Sequence, residues 1–178
     1  MSEPDLDRVL IGGREGGRVR LVPHRPGWAL RFERERERIA TALGQSARRI
    51  EHVGSTSVPG LDAKPIVDIV VAVEDPADAG VRAALEGAGY VLRVDEGSEH
   101  RMFRTPERDV HVHLWVAGSR DVARHLEFRD RLRSSEADRR AYAALKHRLA
   151  EREWDDVNDY AAAKSPLIAE IIKRARAG

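Results

Sequence analysis

The chain has 178 residues, 42% apolar and 34% charged, the size and composition of one globular domain able to bury its own core. Lys and Arg number 31 against 30 Asp and Glu, and the net charge of +1 excludes the strongly basic footprint of a non-selective nucleic-acid binder. Cysteine is absent, which removes disulfides, thiolate metal sites and cysteine nucleophiles.

No apolar run approaches the length that spans a bilayer, and the opening MSEPDLDRVL lacks the basic-then-apolar plan of a signal peptide. The expectation is a cytoplasmic protein with no membrane partner. Residues 1–18 crowd Gly12, Gly13, Gly16 and Gly17 into a polar stretch and read as a flexible arm, leaving 19–178 as a single domain.

GWALRFERERERIATALG reads as a helix closed by Gly44, with Trp28, Phe32, Ile39 and Leu43 on one stripe. Glu33 with Arg36, and Glu35 with Arg38, are expected to pair on its solvated face. A short strand follows around Arg49–Val53, then a turn and loop through Lys64. The β-branched run Ile66–Val73 reads as a strand covered on both faces. DPADAGVRAALEGAGY reads as a helix with Asp75 as its cap and Pro76 in its first turn. YVLRV, EHRMFRTP and DVHVHLWVA are three strand candidates of an antiparallel meander. From Ser119 to the end the pattern is helical, with Ser135 and Asp138 in capping-box spacing and Leu167, Ile168, Ile171 and Ile172 on one apolar face. The fold class is α+β: a mixed, mostly antiparallel sheet with flanking helices and a C-terminal helical tail.

The chemistry concentrates in RIEHVGSTSVPGLDAKPIVDIVVAV. Gly54, Ser55, Thr56 and Ser57 form a turn whose backbone N–H groups and hydroxyls suit phosphate oxygens. Lys64 adds a mobile cation, and Asp68, on the next strand, offers a carboxylate to a divalent metal. His111 and His113 alternate by two and project from one face; beside Asp68 they would form a transition-metal or proton-handling group. Arg101, on the preceding strand, is a candidate clamp for an anionic acceptor. Plainer readings stand beside these: a simple connection for the turn, a structural acceptor for Asp68, a half-buried polar pair for the histidines. In the helical tail Arg129, Lys146 and Lys164 are second-tier candidates, Arg129 more readily as an ion pair with a neighbouring acid.

Those residues, with LVPHRPGWALRFERERERI, HVHLWVAGS, HLEFRDRLRSS, YAALKHRLA and YAAAKSPLI in the same order, closely resemble the GrpB family from about Val19 to Ile172. The resemblance implies a bacterial-type protein of nucleotidyltransferase-like fold. In that superfamily a Gly-Ser turn holds nucleotide phosphates, an Asp-x-Asp strand holds two Mg²⁺, and a later strand gives a third carboxylate. Gly54 and Ser55 match the turn and Asp68 the first carboxylate. Val70 stands where the second belongs, and His111 and His113 stand where the third is expected, with Glu51 as a candidate substitute. The metal expected is Mg²⁺ or Mn²⁺, with Zn²⁺ or Ni²⁺ as alternatives through the imidazoles.

Three functions follow from this reading. One is nucleotidyl transfer to a small acceptor, with His111 or His113 as general base. The second is a non-catalytic module binding a nucleotide or coenzyme A precursor. The third is a metal-dependent hydrolase using Asp68, His111 and His113. A further likeness, to the C-terminal extension of some dephospho-coenzyme A kinases, implies a partner in coenzyme A metabolism. The oligomeric state is left open.

Overall fold

A computed structural model describes residues 8–177. In chain order the elements are β1 (Gly17–Arg18), α1 (Gly27–Leu43), β2 (Arg49–Val53), β3 (Val67–Val73), α2 (Ala79–Gly87), β4 (Val91–Asp95), β5 (His100–Arg104), β6 (Val110–Val116), α3 (Arg120–Ser134), α4 (Glu136–Ala150), β7 (Glu153–Trp154), α5 (Val157–Ala162) and α6 (Ser165–Ala177). A 5-stranded sheet has the order β2-β3-β6-β5-β4. Its β3–β6 pair is parallel and its other pairs are antiparallel, so the sheet is mixed and mostly antiparallel, as the sequence led one to expect.

The sheet acquires two different faces because side chains alternate along each strand. Val67, Ile69, Val71 and Val73 of β3 enter the main core, where Trp28, Ile39 and Leu43 of α1 and Val81 and Leu85 of α2 close over them. Val70 and Ala72 face the other way and pack with Val53 and with Val122 of α3. A strand buried on both sides needs apolar residues at nearly every position, which is why β3 reads as an unbroken β-branched run. Each fully buried side chain of this kind contributes about 1.5–3 kcal/mol. Asp68 is the exception on β3.

Several local expectations are corrected. Glu35 does not lie on a solvated face: it is buried, accepts a hydrogen bond from the Tyr90 hydroxyl, and lies 3.2 Å from Arg31 and 3.5 Å from Arg38. Glu33 and Arg36 do pair outside, at 2.5 Å. The cap of α2 is Asp78, whose carboxylate accepts from the Val81 N–H at 2.7 Å, while Asp75 makes a local turn with the Ala77 N–H. Ser135 caps α4 by accepting from Asp138 N–H, as its spacing predicts. The apolar face of the tail is confirmed, with Ile171 buried beside Val58, Leu61 and Leu132 and with Leu167 and Ile168 packed against them.

The segment read as an arm over 1–18 begins outside the described residues. From Leu10 onward it makes defined contacts: Leu10 bridges Val94, the Arg93 guanidinium donates to the Ile11 and Gly13 carbonyls, and Gly17–Arg18 pairs with Glu153–Trp154. A Cβ on Gly16 would come within 2.6 Å of the Asp155 carbonyl oxygen, so that glycine serves a close approach of two backbones. No helix among the described residues is long and apolar enough to cross a membrane.

Candidate functional site

The second face of the sheet opens into the site at the N-terminal ends of β3 and β6. In the parallel register Asp68 lies opposite His111 and Val70 opposite His113, so the acid and both imidazoles project from one face. His111 Nδ1 is 3.4 Å and His113 Nε2 is 3.6 Å from Asp68 Oδ1. One ligand atom from each of the three residues can be chosen such that all lie within 4.8 Å of one another. Burial pushes the Asp68 carboxyl up, but hydrogen bonds and charge from His111 and His113 outweigh it and hold the group well below the usual carboxylate range.

The turn before β3 is built to approach this acid. Gly54 has φ 67° and ψ −172°, a backbone state that essentially only glycine adopts. A Cβ there would lie 2.5 Å from Asp68 Oδ2. Ser55 follows and lines the cavity. Thr56 and Ser57 do not: both are buried, Thr56 Oγ1 lies 3.0 Å from His52 Nε2, and Ser57 Oγ donates to the Gly54 carbonyl at 2.6 Å. Their hydroxyls hold the turn rather than face a ligand. His52, stacked on Phe32 with centroids 4.9 Å apart, is driven by burial to a pKa of about 4 and is neutral.

The cavity in front of Asp68 has a volume of about 270 Å³. Ser55, Lys64, Asp68, His111, His113 and Lys146 line it, with Lys164 and Tyr160 on the helical side. A second lobe of about 460 Å³ shares Ser55, Asp68, His113 and Lys164 and adds His125 and Tyr142. The helical tail therefore forms the far wall. Lys146 follows Tyr142 by four residues and Lys164 follows Tyr160 by four, and each ammonium lies near its own tyrosine ring, at 5.3 and 4.2 Å from the centroid. Lys146 Nζ also donates to the Asp62 carbonyl. None of Lys64, Lys146 and Lys164 pairs with a carboxylate among the described residues.

Burial lowers all three lysines. Lys146 falls to about 7, with Lys164 repelling it and Asp62 and Asp68 acting the other way. Lys164 falls to about 8, and Lys64 shifts in the same direction. Three lysines thus line one cavity with no direct ion pair among the described residues, which concentrates positive charge beside Asp68. Lys146 takes up its proton below about pH 7 in the folded state and near its ordinary value, 10.5, when unfolded. Between those values the unfolded chain binds more protons, so this residue's contribution to stability improves as pH rises through the window. Lys146→Met should accordingly raise the unfolding midpoint at pH 6 more than at pH 9, measured by thermal melts of both proteins at the two pH values.

Other sequence candidates sit elsewhere. Val70, the position two after Asp68, is fully buried against α3 and offers no ligand. Glu51 lies opposite Val70 but is held by Arg129 Nη1 at 2.8 Å and Arg49 Nε at 2.8 Å. Arg129 also donates to Asp130 and to the His52 carbonyl, the ion-pair role preferred for it from sequence. Arg101 pairs in register with Leu114, a main-core residue, so it points to the opposite face, where it bonds Asp95 at 2.9 Å and the Pro76 carbonyl. It cannot clamp a ligand beside Asp68. A groove of about 950 Å³ between the β2 edge and α3 contains none of these groups, and its arginines are already paired, Arg131 with Asp138, Arg49 with Glu51 and Arg48 with Glu74.

Sequence reasoning passed over Tyr142, Tyr160, His100 and His125. The paired Tyr-x-x-x-Lys spacings in the tail were the available signal for the tyrosines. His100 was reachable through the meander register, which sets His100 opposite Trp115 and Met102 opposite His113 on the site face.

A family model described as GrpB protein matches residues 18–174. The chain belongs to the GrpB family. Among curated relatives, a UPF0157 protein of Streptomyces coelicolor is 49% identical over 98% of this chain and 94% of its own length. A UPF0157 protein of Halalkalibacterium halodurans is 43% identical over 99% of this chain and 93% of its own. The crystal structure of the conserved protein GrpB from Enterococcus faecalis superposes with a TM-score of 0.75 at 33% identity, covering 88% of this chain and 96% of that one. The mixed sheet with flanking helices is therefore the GrpB fold. The likeness to dephospho-coenzyme A kinases also holds: one from Mycolicibacterium paratuberculosis is 31% identical over 88% of this GrpB chain, which covers 46% of that protein.

Proposed function

We propose that this GrpB protein binds a phosphorylated small molecule, with a nucleotide as the class, together with one divalent cation. What carries the reading is the meeting of Asp68, His111 and His113 with Lys64, Lys146 and Lys164 at one cavity. Asp68, His111 and His113 would hold the metal, and a carboxylate with two imidazoles fits Mn²⁺, Zn²⁺ or Ni²⁺ better than Mg²⁺, which prefers oxygen. The metal would supply Lewis-acid polarisation of a phosphoryl oxygen. The lysines and the Ser55 turn would hold the remaining phosphate charge, and the tyrosines would restrict water on the helical side. The name of the dephospho-coenzyme A kinase relative favours an adenine nucleotide or coenzyme A precursor as ligand.

Nucleotidyl transfer by two metals is the further step expected of the fold, and it needs paired anionic ligands. Val70 in the core and Glu51 in its ion pair favour a second reading, binding without transfer in the manner of an accessory module. Calorimetric titration with ATP, with and without Mn²⁺, tests the shared core of both. Saturable binding strengthened about tenfold or more by the cation is expected; heat that neither saturates nor responds to metal counts against both. Pyrophosphate release in the presence of small hydroxyl and amine acceptors would then select transfer over binding alone.

A further inference from the structure

We propose that the second lobe of the cavity receives the non-phosphate end of the ligand, and that this end is a nucleobase. Phe128, Tyr142, Ile168 and Ile172 cover its faces, and Asp121 and Arg124 meet its edge. The inference rests on the phosphate reading of the lysine-lined lobe and names what lies at the other end of the same molecule.

The two lobes are one site. They share Ser55, Asp68, His113 and Lys164. Where they meet, the Tyr142 hydroxyl is hydrogen-bonded to Ser55, and the His125 ring lies 6.1 Å from that of His113. The lysine-lined lobe, about 270 Å³, falls short of the usual small-molecule pocket of about 300–1,000 Å³, and the second lobe adds about 460 Å³. A ligand confined to the first lobe would leave the larger space to water, against two aromatic rings and two isoleucines.

Helical spacing builds this second lobe. Asp121, Arg124 and Phe128 follow one another at three- and four-residue steps and line one face of α3, while Ile168 and Ile172 lie one turn apart on α6. Phe128 packs edge-on against Tyr142, with ring centroids 5.0 Å apart and planes at 87°. Rings at right angles, together with the isoleucine methyls, offer apolar surface to more than one side of a flat ligand. Toward solvent the lining changes character. Arg124 is exposed and Asp121 half-buried, and among the described residues neither forms an ion pair, so a donor and an acceptor are left uncommitted there.

Apolar walls with a polar rim select the occupant. A nucleobase has apolar faces and an edge of donors and acceptors, so both of its parts find partners. An aliphatic amide arm would press unpaired N–H and C=O groups against Phe128 and Ile172. A phosphorylated polyol would leave the rings uncovered.

Calorimetry in the presence of Mn²⁺ tests this. Inorganic tripolyphosphate carries at least the charge of ATP and lacks the base, so charge alone favours it. ATP should nevertheless bind more tightly by roughly 5–150-fold, the gain when a base stacks on aromatic side chains. Ile168→Trp fills the lobe from α6 without altering charge; it should bring ATP down to the affinity of tripolyphosphate and leave tripolyphosphate as in wild type. AMP should bind more tightly than phosphopantetheine, which carries its single phosphate on an aliphatic amide arm. Because Ile168 also packs against the core, the contact is read independently in the wild-type protein: saturating the isoleucine methyl resonances should transfer magnetisation to the adenine protons of bound ATP. Equal affinities of ATP and tripolyphosphate in wild type overturn the inference. So do phosphopantetheine binding at least as well as AMP, a folded Ile168→Trp that weakens both polyphosphates alike, or no transfer to adenine. If neither ATP nor tripolyphosphate binds, the phosphate reading beneath falls, and this inference with it.

Discussion

Asp68→Asn should reduce divalent-metal affinity by more than about 100-fold, beyond the upper end of the cost of losing an outer partner, and should abolish metal-dependent ligand binding. Asp68 supplies the one carboxylate of the cluster, and two neutral imidazoles alone carry no negative charge to hold a cation against its hydration. The variant should nevertheless fold. The amide keeps the shape of the carboxylate, and its oxygen can still accept from the imidazole N–H 3.4 Å away at His111. Calorimetric metal titration beside a thermal melt separates these effects: lost affinity with a preserved midpoint is the expected pair. Unchanged affinity would remove Asp68 from the site.

Gly54→Ala should be the most damaging single-methyl change in the site. The backbone at Gly54 lies in a region that costs a side-chain-bearing residue about 1–3 kcal/mol, and the new methyl would press on Asp68 Oδ2 at 2.5 Å. For a chain of this length the combined cost lowers the unfolding midpoint by roughly 5–10 °C. The carboxylate must also move, so ligand binding falls together with stability. A double-mutant cycle makes the contact visible. In an Asp68→Ala background the Gly54→Ala penalty should shrink by the clash contribution and leave only the backbone part. Equal penalties in both backgrounds would mean that the glycine answers to its own conformation alone.

The legible parts of the fold are those in which local pattern and tertiary demand agree. The β-branched run from Val67 to Val73 admits few other roles, and the two-residue alternation of His111 and His113 assigns them to a common face before any register is known. The serine-rich turn next to Asp68 could be picked out for the same reason. Where the two demands part, the sequence misleads. Glu35 sits among Arg-Glu alternation that resembles a solvated helix face, and its burial is met by Arg31 and Arg38 of its own helix and by the Tyr90 hydroxyl, which arrives from beyond the end of α2. Asp75 and Asp78 are both acceptable caps, and three residues of turn geometry decide for Asp78.

The far wall of the site is a long-range matter. Tyr142 and Lys146 come from α4, Tyr160 from α5 and Lys164 from the turn after it, all more than 70 residues after Asp68, and nothing local says which face of those segments meets the sheet. Arg101 was misassigned by a single residue of strand parity, since its neighbours His100 and Met102 face the site. Thr56 and Ser57 belong to the expected turn, yet their hydroxyls are used within it, a distinction that depends on His52 and on the Gly54 carbonyl rather than on composition.

The measurement that bears most directly on the account is anomalous diffraction from crystals of the wild-type protein grown with Mn²⁺ and a nucleoside triphosphate. The prediction is one manganese ion per chain touching Asp68, His111 and His113, with phosphate density between it and Lys64, Lys146 and Lys164. Manganese or phosphate lodged at another surface, with that cavity holding neither, would contradict it.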